Sequence, residues 1–494
     1  MKKIIFTGLL SIVLIFTSCE NLLDINDNPN YPKEADAEAL IPSAEVQITG
    51  VIGGDLQLIG SIWSQFYAQH TGSNQYTNID SYNLPTSNTY NSRTWNLLYS
   101  GALPDLDNAI KDAESNKKWS YWFMAKTLKA FTFHVLNSYY GDIPFSQATQ
   151  GITVNPKYDP EKEVYLGTIK ILDEALAKAG DAKTANETLT ENQLKNDLLL
   201  DGKITSWIKF AKTLKLKLLL RDYNTNKAAI TALLNENDLL TMDVAFKKFE
   251  DKENLSNPLF ESDRRKLNTP NNLRASSTMM NYLLAKKDPR DSIFYEGNAA
   301  TGAYVGLPQG GYTLGSSWTP KTSRAKLAAI DYTYLMSEAE CYFIQAECYA
   351  RANNAPKAKE YYDKAVLNAF KKWKSNDLPL DGSSFIAAGG VYEFDATSEQ
   401  KMLESIWRQK WIASVRAQGW DAFLEINRTG FPEYGTVATN AAGYVVGNLA
   451  PSINSVLPAG EFPRRLVYPK SSTDFNPNAS AVVPLQTKMW WHKQ

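Results

Sequence analysis

Apolar residues recur every three or four positions along much of this sequence, which is the spacing of one face of an α-helix. The pattern is clearest after Ala339, where two successive helices are predicted, the first with Tyr342, Ala346 and Tyr349 on one face and the second with Ala358, Tyr362 and Ala365. Asn353 and Pro356 suit the turn between them, since proline is favoured in the first turn of a helix. The pattern at residues 339–366 therefore predicts a helical hairpin.

The spacing of this hairpin is that of a tetratricopeptide repeat, except that Gln345 replaces the usual Leu and Phe370 stands where a Pro is common. One hairpin cannot bury its own apolar face, so neighbouring hairpins are expected. Helical periodicity indicates further helices at residues 119–140, 164–179, 204–220, 226–235 and 399–416. Residues 125–129 also recur identically as 211–215, in the same phase of a helix. We predict a mainly α fold, an array of three or four helix pairs with long insertions.

Two insertions combine polar and aromatic residues, at 61–99 and 296–319. The second is rich in glycine, which lets a backbone approach a ligand closely, while aromatic rings supply flat stacking surfaces. Sugars present both C–H patches and hydroxyl groups, so a pocket for them needs rings and hydrogen-bonding groups together. We predict a ligand pocket formed by Tyr67, Gln69, Tyr76, Tyr82, Tyr312 and Trp318. The alternative for each ring is that it only fills space between loops.

The N-terminus predicts export and a lipid anchor. Lys2 and Lys3 precede an apolar run at residues 4–16, which is too short to span a membrane but suits a secretory signal. Small residues then lead up to Cys19, which is the pattern of a bacterial lipoprotein signal. We predict a signal peptide at residues 1–18, a lipidated tether at 19–35 and a single ligand-binding domain at 36–494. Several acyl chains on Cys19 make a stable anchor.

Composition narrows the remaining possibilities. The formal net charge is −1, so no basic face is predicted and a nucleic-acid partner is not expected. Only Cys341 and Cys348 follow Cys19, and on one helix they lie about 10 Å apart along the axis, too far for an undistorted disulfide. They are also too few for a zinc site, so both are interpreted as small apolar residues of the core. Pro29 stands where a calcium loop starting at Asp24 would need Gly. We expect neither a metal nor a cofactor.

A search for catalytic motifs favours a binding protein over an enzyme. The three histidines form no His-Glu-x-x-His pair, and no Gly-x-Ser-x-Gly elbow is present. Ser206 and Lys209 match Ser-x-x-Lys, but the other β-lactamase motifs are missing and both residues lie in a predicted helix. His134, among apolar neighbours, is interpreted as a core residue. A carboxylate pair for glycoside hydrolysis is recognisable only in space, so a hydrolase stays open at this point.

Several short motifs, in their order along the chain, resemble those of the SusD/RagB family. They are Cys19 with Leu23-Asp24-Ile25-Asn26, Tyr139-Tyr140-Gly141-Asp142-Ile143-Pro144-Phe145, the hairpin at 339–366, Gln409-Lys410-Trp411-Ile412-Ala413, Arg428-Thr429-Gly430-Phe431-Pro432 and Pro463-Arg464-Arg465-Leu466-Val467-Tyr468-Pro469. The last three resemble the SusD-like branch in particular. The resemblance extends from Cys19 to about Asn478.

This resemblance implies an α-helical superhelix with four tetratricopeptide-like units, minor β hairpins and a ligand site in the insertions. It implies a lipoprotein of the outer membrane, facing the cell exterior. Such a protein acts as the lid of a SusC-like TonB-dependent transporter and captures a nutrient, most often an oligosaccharide. Two alternatives are a peptide-binding lipoprotein of the same type and a tetratricopeptide-like scaffold with no small ligand.

Overall fold

Helices make up most of the chain that the structure describes. The computed structural model describes residues 35–149, 153–267, 271–298, 301–318, 320–375 and 377–493, so Cys19 and the predicted signal lie outside the described residues. Helices of eight or more residues are α1 (Ala37–Gly53), α2 (Asp55–Trp63), α3 (Thr89–Asn96), α4 (Leu103–Ser115), α5 (Trp119–Tyr140), α6 (Glu161–Ala177), α7 (Ala179–Asn186), α8 (Ile204–Leu219), α9 (Tyr223–Asn235), α10 (Ser277–Lys286), α11 (Glu338–Arg351), α12 (Ala355–Lys371), α13 (Glu399–Ala413) and α14 (Gly419–Thr429). Short helices lie at Thr77–Asp80, Glu191–Lys195, Pro258–Phe260, Asp291–Phe294, Ser383–Ile386 and Lys470–Thr473. Residues from Ala37 onward form one compact unit.

Four pairs of these helices pack side by side along the chain: α1 with α4, α5 with α6, α8 with α9, and α11 with α12. The predicted mainly α fold built from helix pairs is therefore confirmed. In the last pair, Ala346 and Ala358 are fully buried where the two helices approach each other. The Asn354 side chain accepts a hydrogen bond from the amide of Lys357 (3.2 Å), and Pro356 lies in the first turn of α12.

The periodicity located the long helices closely. Predicted residues 119–140 coincide with α5, and the other predicted spans differ from α6, α8, α9 and α13 by no more than three residues at either end. Ser206 and Lys209 both lie within α8, as expected for an accidental motif match. Cys341 and Cys348 are buried free thiols on α11. The interpretation of both cysteines as small apolar residues of the core is confirmed.

Short antiparallel strands connect the insertions. The strands are β1 (Tyr67–Gln69), β2 (Ile143–Pro144), β3 (Tyr158–Asp159), β4 (Val244–Phe246), β5 (Leu273–Ala275), β6 (Tyr295–Glu296), β7 (Arg324–Ala325), β8 (Thr333–Met336), β9 (Lys374–Ser375) and β10 (Leu378–Pro379). Four of them form one sheet in the order β1-β5-β7-β6, and the others form three two-stranded sheets. The four-stranded sheet brings the first aromatic insertion against the second, although they are more than 200 residues apart in the sequence.

His134 is a core residue, as the sequence indicates. Its Nδ1 accepts a hydrogen bond from Nη2 of Arg221 (3.1 Å) and lies 3.3 Å from Oγ of Ser138. Burial and the charge of Arg221 hold the pKa of His134 well below its ordinary value. The imidazole is therefore neutral, and its Nδ1 is occupied by Arg221 and Ser138.

Candidate functional site

Four of the six predicted pocket residues are buried. Tyr67 on β1 packs edge-on against Tyr295, with ring centroids 6.3 Å apart, and Tyr82 packs in the same way against Phe462 at 6.0 Å. Gln69 and Tyr76 are also buried, Gln69 completely. These side chains thus lie within the protein that supports the insertions. Their part in ligand binding stays a prediction.

Gln69 shapes the loop that follows β1. Its side-chain oxygen accepts a hydrogen bond from the amide of Tyr76 (2.7 Å), and its Nε2 donates to the backbone oxygen of Ser73 (2.9 Å). Both ends of the side-chain amide are therefore used within the loop. The hydroxyl of Tyr76, at the end of this loop, donates to Oδ1 of the buried Asp263 (2.9 Å). Gln69 and Tyr76 together hold residues 70–76 in one conformation.

The other two predicted residues, Tyr312 and Trp318, are partly exposed. They lie in the short helices Gly311–Thr313 and Ser316–Trp318 of the second insertion. The Asn454 side chain holds the first of these turns, since its Nδ2 donates to the backbone oxygen of Gly310 (2.7 Å) and to Oγ1 of Thr313 (2.8 Å). The rings of Tyr312 and Trp318 are accessible to a ligand, in contrast to those of Tyr67 and Tyr82.

Tyr76 also lines an open cavity of about 250 Å³, which we call the Tyr90 cavity. Its lining residues come from α2, from the loop before α3, from α3 itself and from the segment after Pro258–Phe260: Gly54, Asp55, Leu58, Gln75, Tyr76, Thr89, Tyr90, Arg93, Leu259, Ser262, Lys266 and Leu267. Tyr76 is the one predicted pocket residue among them. The cavity combines two tyrosines with amide, hydroxyl and cationic groups, which is the mixture that a polyhydroxylated ligand requires.

Partly buried interactions support the Tyr90 cavity. The Asn88 side chain caps α3 by accepting a hydrogen bond from the amide of Tyr90 (2.9 Å). Arg93, one turn later, donates from its Nε to the buried carboxylate of Asp55 (2.6 Å). Burial raises the pKa of Asp55, and the hydrogen bond from Arg93 opposes that rise. Lys266, in contrast, is exposed and has no carboxylate partner among the described residues.

A row of charged side chains crosses the four-stranded sheet beside the second insertion. Arg274 and Arg324 are directly opposite each other on β5 and β7, and Glu296 on β6 is opposite Arg324. Arg324 forms a two-point ion pair with Glu296, with both N–O distances at 2.8 Å. Arg274 donates to the backbone oxygen of Thr322 (3.1 Å) and has no carboxylate partner among the described residues. Like charges directly opposite in a sheet are unfavourable, so the row is unusual.

This row was not anticipated from the sequence. Arg274 and Arg324 are fifty residues apart, and nothing in either local pattern indicates that they become cross-strand neighbours. Burial, with the neighbouring Arg324 and Arg264, lowers the pKa of Arg274 to about 10. Burial and Arg274 lower the pKa of His70 to about 4, which keeps that imidazole neutral. The Arg274 guanidinium lies beside the turn that contains Trp318, since it donates to Thr322, whose amide donates to the backbone oxygen of Trp318.

Within the described ranges, no helix combines the length and the apolar character needed to cross a membrane. The same part of the chain contains no cluster of three or more His, Cys, Asp or Glu side chains placed to hold a metal ion.

Comparison with solved structures shows a shared fold. A SusD homologue from Bacteroides uniformis ATCC 8492 is 23% identical, with 92% of this chain and 99% of that chain covered and a TM-score of 0.71. A chitin-binding SusD homologue from Flavobacterium johnsoniae is 20% identical, with 91% of this chain and 98% of that chain covered and a TM-score of 0.72. A SusD/RagB family protein from Bacteroides thetaiotaomicron VPI-5482 is 21% identical, with 93% and 100% covered and a TM-score of 0.68. No curated protein matches this sequence.

A match to a family model establishes the family of this chain. The model of the SusD-like family, described as "Starch-binding associating with outer membrane", matches residues 29–469, which is most of the chain. Proteins of this family bind ligands and are not enzymes, so the hydrolase that the sequence left open is set aside. With the helix pairs, the insertions and this match taken together, the chain belongs to the SusD-like family of binding proteins.

Proposed function

We propose that this protein is a lipoprotein of the outer membrane that captures an oligosaccharide and serves as the lid of a SusC-like TonB-dependent transporter. The family description names starch binding and association with the outer membrane, and one structural relative is a chitin-binding protein. Both descriptions concern sugar polymers. For this chain, oligosaccharide is therefore the first class of nutrient to test.

The observation that carries the proposal is the Tyr90 cavity. It opens between the first insertion and residues 259–267 rather than along a helix pair, and its walls include Tyr76, Tyr90 and Gln75. Tyrosine rings stack on the C–H faces of sugars, while amide and hydroxyl groups bond to sugar hydroxyls. A scaffold that used only its helix faces would not need such a cavity. We place the ligand here, with Tyr312 and Trp318 of the second insertion as further contacts to be tested.

The binding test uses the full-length protein in detergent and isothermal titration with maltoheptaose and chitohexaose. Tyr90→Ala is the informative variant, because Tyr90 lines the cavity and is only partly buried. Removal of one stacking ring costs about 1–3 kcal/mol, so the affinity is expected to fall roughly 5- to 150-fold. Tyr332→Ala is the matched control, since Tyr332 is 42% exposed and lies outside the cavity.

The result can also contradict the proposal. If Tyr90→Ala and Tyr332→Ala bind both oligosaccharides as the wild type does, the Tyr90 cavity is not the sugar site. If the wild type binds neither of these sugars nor a wider glycan panel but does bind peptides, the peptide-binding alternative replaces the oligosaccharide. Circular dichroism of each variant excludes unfolding as the cause of a lost affinity.

A further inference from the structure

The two most exposed large apolar side chains of the described residues border the same cavity. Val154 is 93% exposed and Phe475 is 80% exposed. The cavity between them has a volume of about 340 Å³, larger than the Tyr90 cavity, and the two cavities share no residue. We call it the Tyr158 cavity. Exposed apolar groups around a concave surface are typical of a binding site.

The Tyr158 cavity is built from three segments that are distant in the sequence. Its lining residues come from α3 and the turn after it, from the β2–β3 region and from the C-terminal segment: Trp95, Tyr99, Pro104, Pro144, Ala148, Thr149, Val154, Pro156, Tyr158, Ser471, Ser472, Phe475 and Asn476. None of these side chains carries a charge. Next to the lining residues, Oδ1 of Asp159 forms an ion pair with Nζ of Lys157 at 2.9 Å. A charged ligand would therefore find no counter-charge on the cavity wall.

The inner wall of the cavity is rigid. The rings of Trp95 and Tyr158 are stacked, with centroids 6.0 Å apart and planes 19° apart. Tyr468 meets Tyr158 edge-on from outside the cavity, at 5.2 Å. The hydroxyl of Tyr99 donates to the backbone oxygen of Pro144 (2.7 Å), which joins the segment after α3 to β2. The wall is therefore formed before any ligand arrives, which lowers the entropic cost of binding.

Hydrogen bonds also hold the two sides of the cavity together. Nδ2 of Asn476 donates to the backbone oxygen of Pro156 (2.7 Å), and Nδ2 of Asn478 donates to that of Asn155 (2.8 Å). The hydroxyls of Tyr158 and Ser472 form a further hydrogen bond. Phe475 lies between these attachment points, on a segment fixed at both ends. Within the described residues no aromatic ring packs against that of Phe475, and its face is exposed to solvent.

The chemistry of the lining selects an uncharged ligand that has both an apolar face and hydroxyl groups. Phe475, Val154 and the prolines supply apolar surface. The polar lining residues are neutral: Ser472, Asn476 and Thr149 are hydrogen-bonded to Tyr158, Pro156 and Asp107, and the hydroxyl of Ser471 is exposed. A purely apolar partner would cover the Ser471 hydroxyl without pairing it, which costs free energy. We propose that the Tyr158 cavity is a second binding site, for a neutral saccharide, separate from the Tyr90 cavity.

The test is a titration of the full-length protein with maltoheptaose and chitohexaose, using Phe475→Ala, Ser471→Ala and the combination of both. Phe475 and Ser471 are exposed, so neither substitution is expected to unfold the protein. Leu378→Ala is the matched control, because Leu378 is 70% exposed and lies on β10, outside the cavity. We expect two saccharide sites in the wild type. Phe475→Ala weakens one of them at least 10-fold, while Tyr90→Ala weakens the other.

Three outcomes would overturn this inference. The first is a wild type with one saccharide site that is sensitive to Tyr90→Ala alone, which would leave the proposed function standing. The second is a Phe475→Ala variant that binds as Leu378→Ala does. The third is a Phe475→Ala variant that keeps both saccharide sites but no longer co-purifies with a membrane protein, which would make this surface a protein interface. A wild type that binds no saccharide would overturn both proposals.

Discussion

Asp80 joins the segments that carry the predicted pocket residues. Its Oδ2 accepts a hydrogen bond from the amide of Gln69 (2.9 Å), and its Oδ1 accepts one from Nε2 of Gln309. Gln309 also donates to the backbone oxygen of Tyr67 (3.2 Å), so both insertions meet at this carboxylate. Asp80 is completely buried, and burial raises its pKa to about 7 despite these donors.

The raised pKa of Asp80 predicts a specific dependence of stability on pH. Between about pH 4 and 7 the folded protein holds a proton on Asp80 that the unfolded chain has already released, so the free energy of unfolding falls as the pH rises through this window. The contribution of Asp80 decreases by about 2–3 kcal/mol from pH 5 to pH 8. Asp80→Asn removes the titrating group. Denaturant unfolding at pH 5, 6, 7 and 8 should give a profile for the variant that lacks this decrease.

Both proteins contain every other titrating group, so the difference between their profiles isolates Asp80. Asn presents an amide nitrogen to one of the two donors, and the variant is therefore expected to be less stable at every pH. The slope, and not the absolute stability, is the measurement that decides. Parallel profiles for the wild type and Asp80→Asn would show that the carboxylate is already ionised at pH 5 in the folded protein.

At the residue scale, sequence reasoning recognised core residues better than surface ones. The sequence predicts that Cys341, Cys348 and His134 belong to the core, and each is buried. It places Tyr67 and Tyr82 in a polar and aromatic insertion, yet they are buried because the strand pairing and the C-terminal segment cover them. Those covering residues are hundreds of positions away. Aromatic composition identifies a loop worth testing but does not show which rings reach the solvent.

At the scale of elements, α2 and α14 cross at two glycines. A methyl group added at Gly60 would meet the backbone of the other helix, lying 2.7 Å from Cα of Trp420 and closer still to the carbonyl oxygen of Gly419. Backbone atoms cannot turn away as a flexible side chain can. Gly60→Ala should therefore force the helices apart and destabilise the protein by about 2–5 kcal/mol, near the upper end for single substitutions. Thermal unfolding measures the loss.

Gly50→Ala is the control for this crossing. Gly50 also lies in a helix, α1, but no atom lies within 4 Å of the position that a new Cβ would occupy. Alanine favours the helix over glycine by about 0.5–1 kcal/mol, so this variant should be slightly more stable than the wild type. Equal effects of the two substitutions would mean that helix propensity, and not the crossing, determines the cost at Gly60.

The helices and strands also differ in how well they can be predicted from the sequence. The span of α5 follows from periodicity alone, because helical hydrogen bonds and side-chain spacing are local along the chain. The strands β1, β5, β6 and β7 are two or three residues long and pair across distant parts of the sequence. No local pattern of that length identifies its partner. The candidate cavities likewise join segments that are distant in the sequence, and for this reason only Tyr76 among the predicted residues lines one of them.

At the scale of the whole molecule, the lipid anchor is predicted at Cys19, outside the described residues. Cys19→Ala removes the thiol to which lipid is attached. We expect this variant to lose labelling by a radioactive fatty acid and to move from the membrane fraction to the soluble fraction. The experiment belongs in cells that lack the transporter, since a bound partner would also retain the protein at the membrane. Retention on washed membranes in those cells would contradict the anchor.

The prediction of a partner follows from the proposed function, in which one protein binds the nutrient and another transports it. A tethered binding protein delivers no nutrient unless a transporter takes the ligand onward, and the family is described as associating with the outer membrane. We expect a tagged copy, purified from its native membrane in mild detergent, to co-purify with a TonB-dependent barrel about twice its mass. The interface between the two proteins should exceed about 2,000 Å².

Cys19→Ala should still bind this partner, because the lid contacts lie in the domain and not in the lipid. Phe475→Ala should bind it equally well if the Tyr158 cavity serves a saccharide. Recovery of the lipoprotein alone in several detergents, from cells that express a TonB-dependent transporter, would count against the lid.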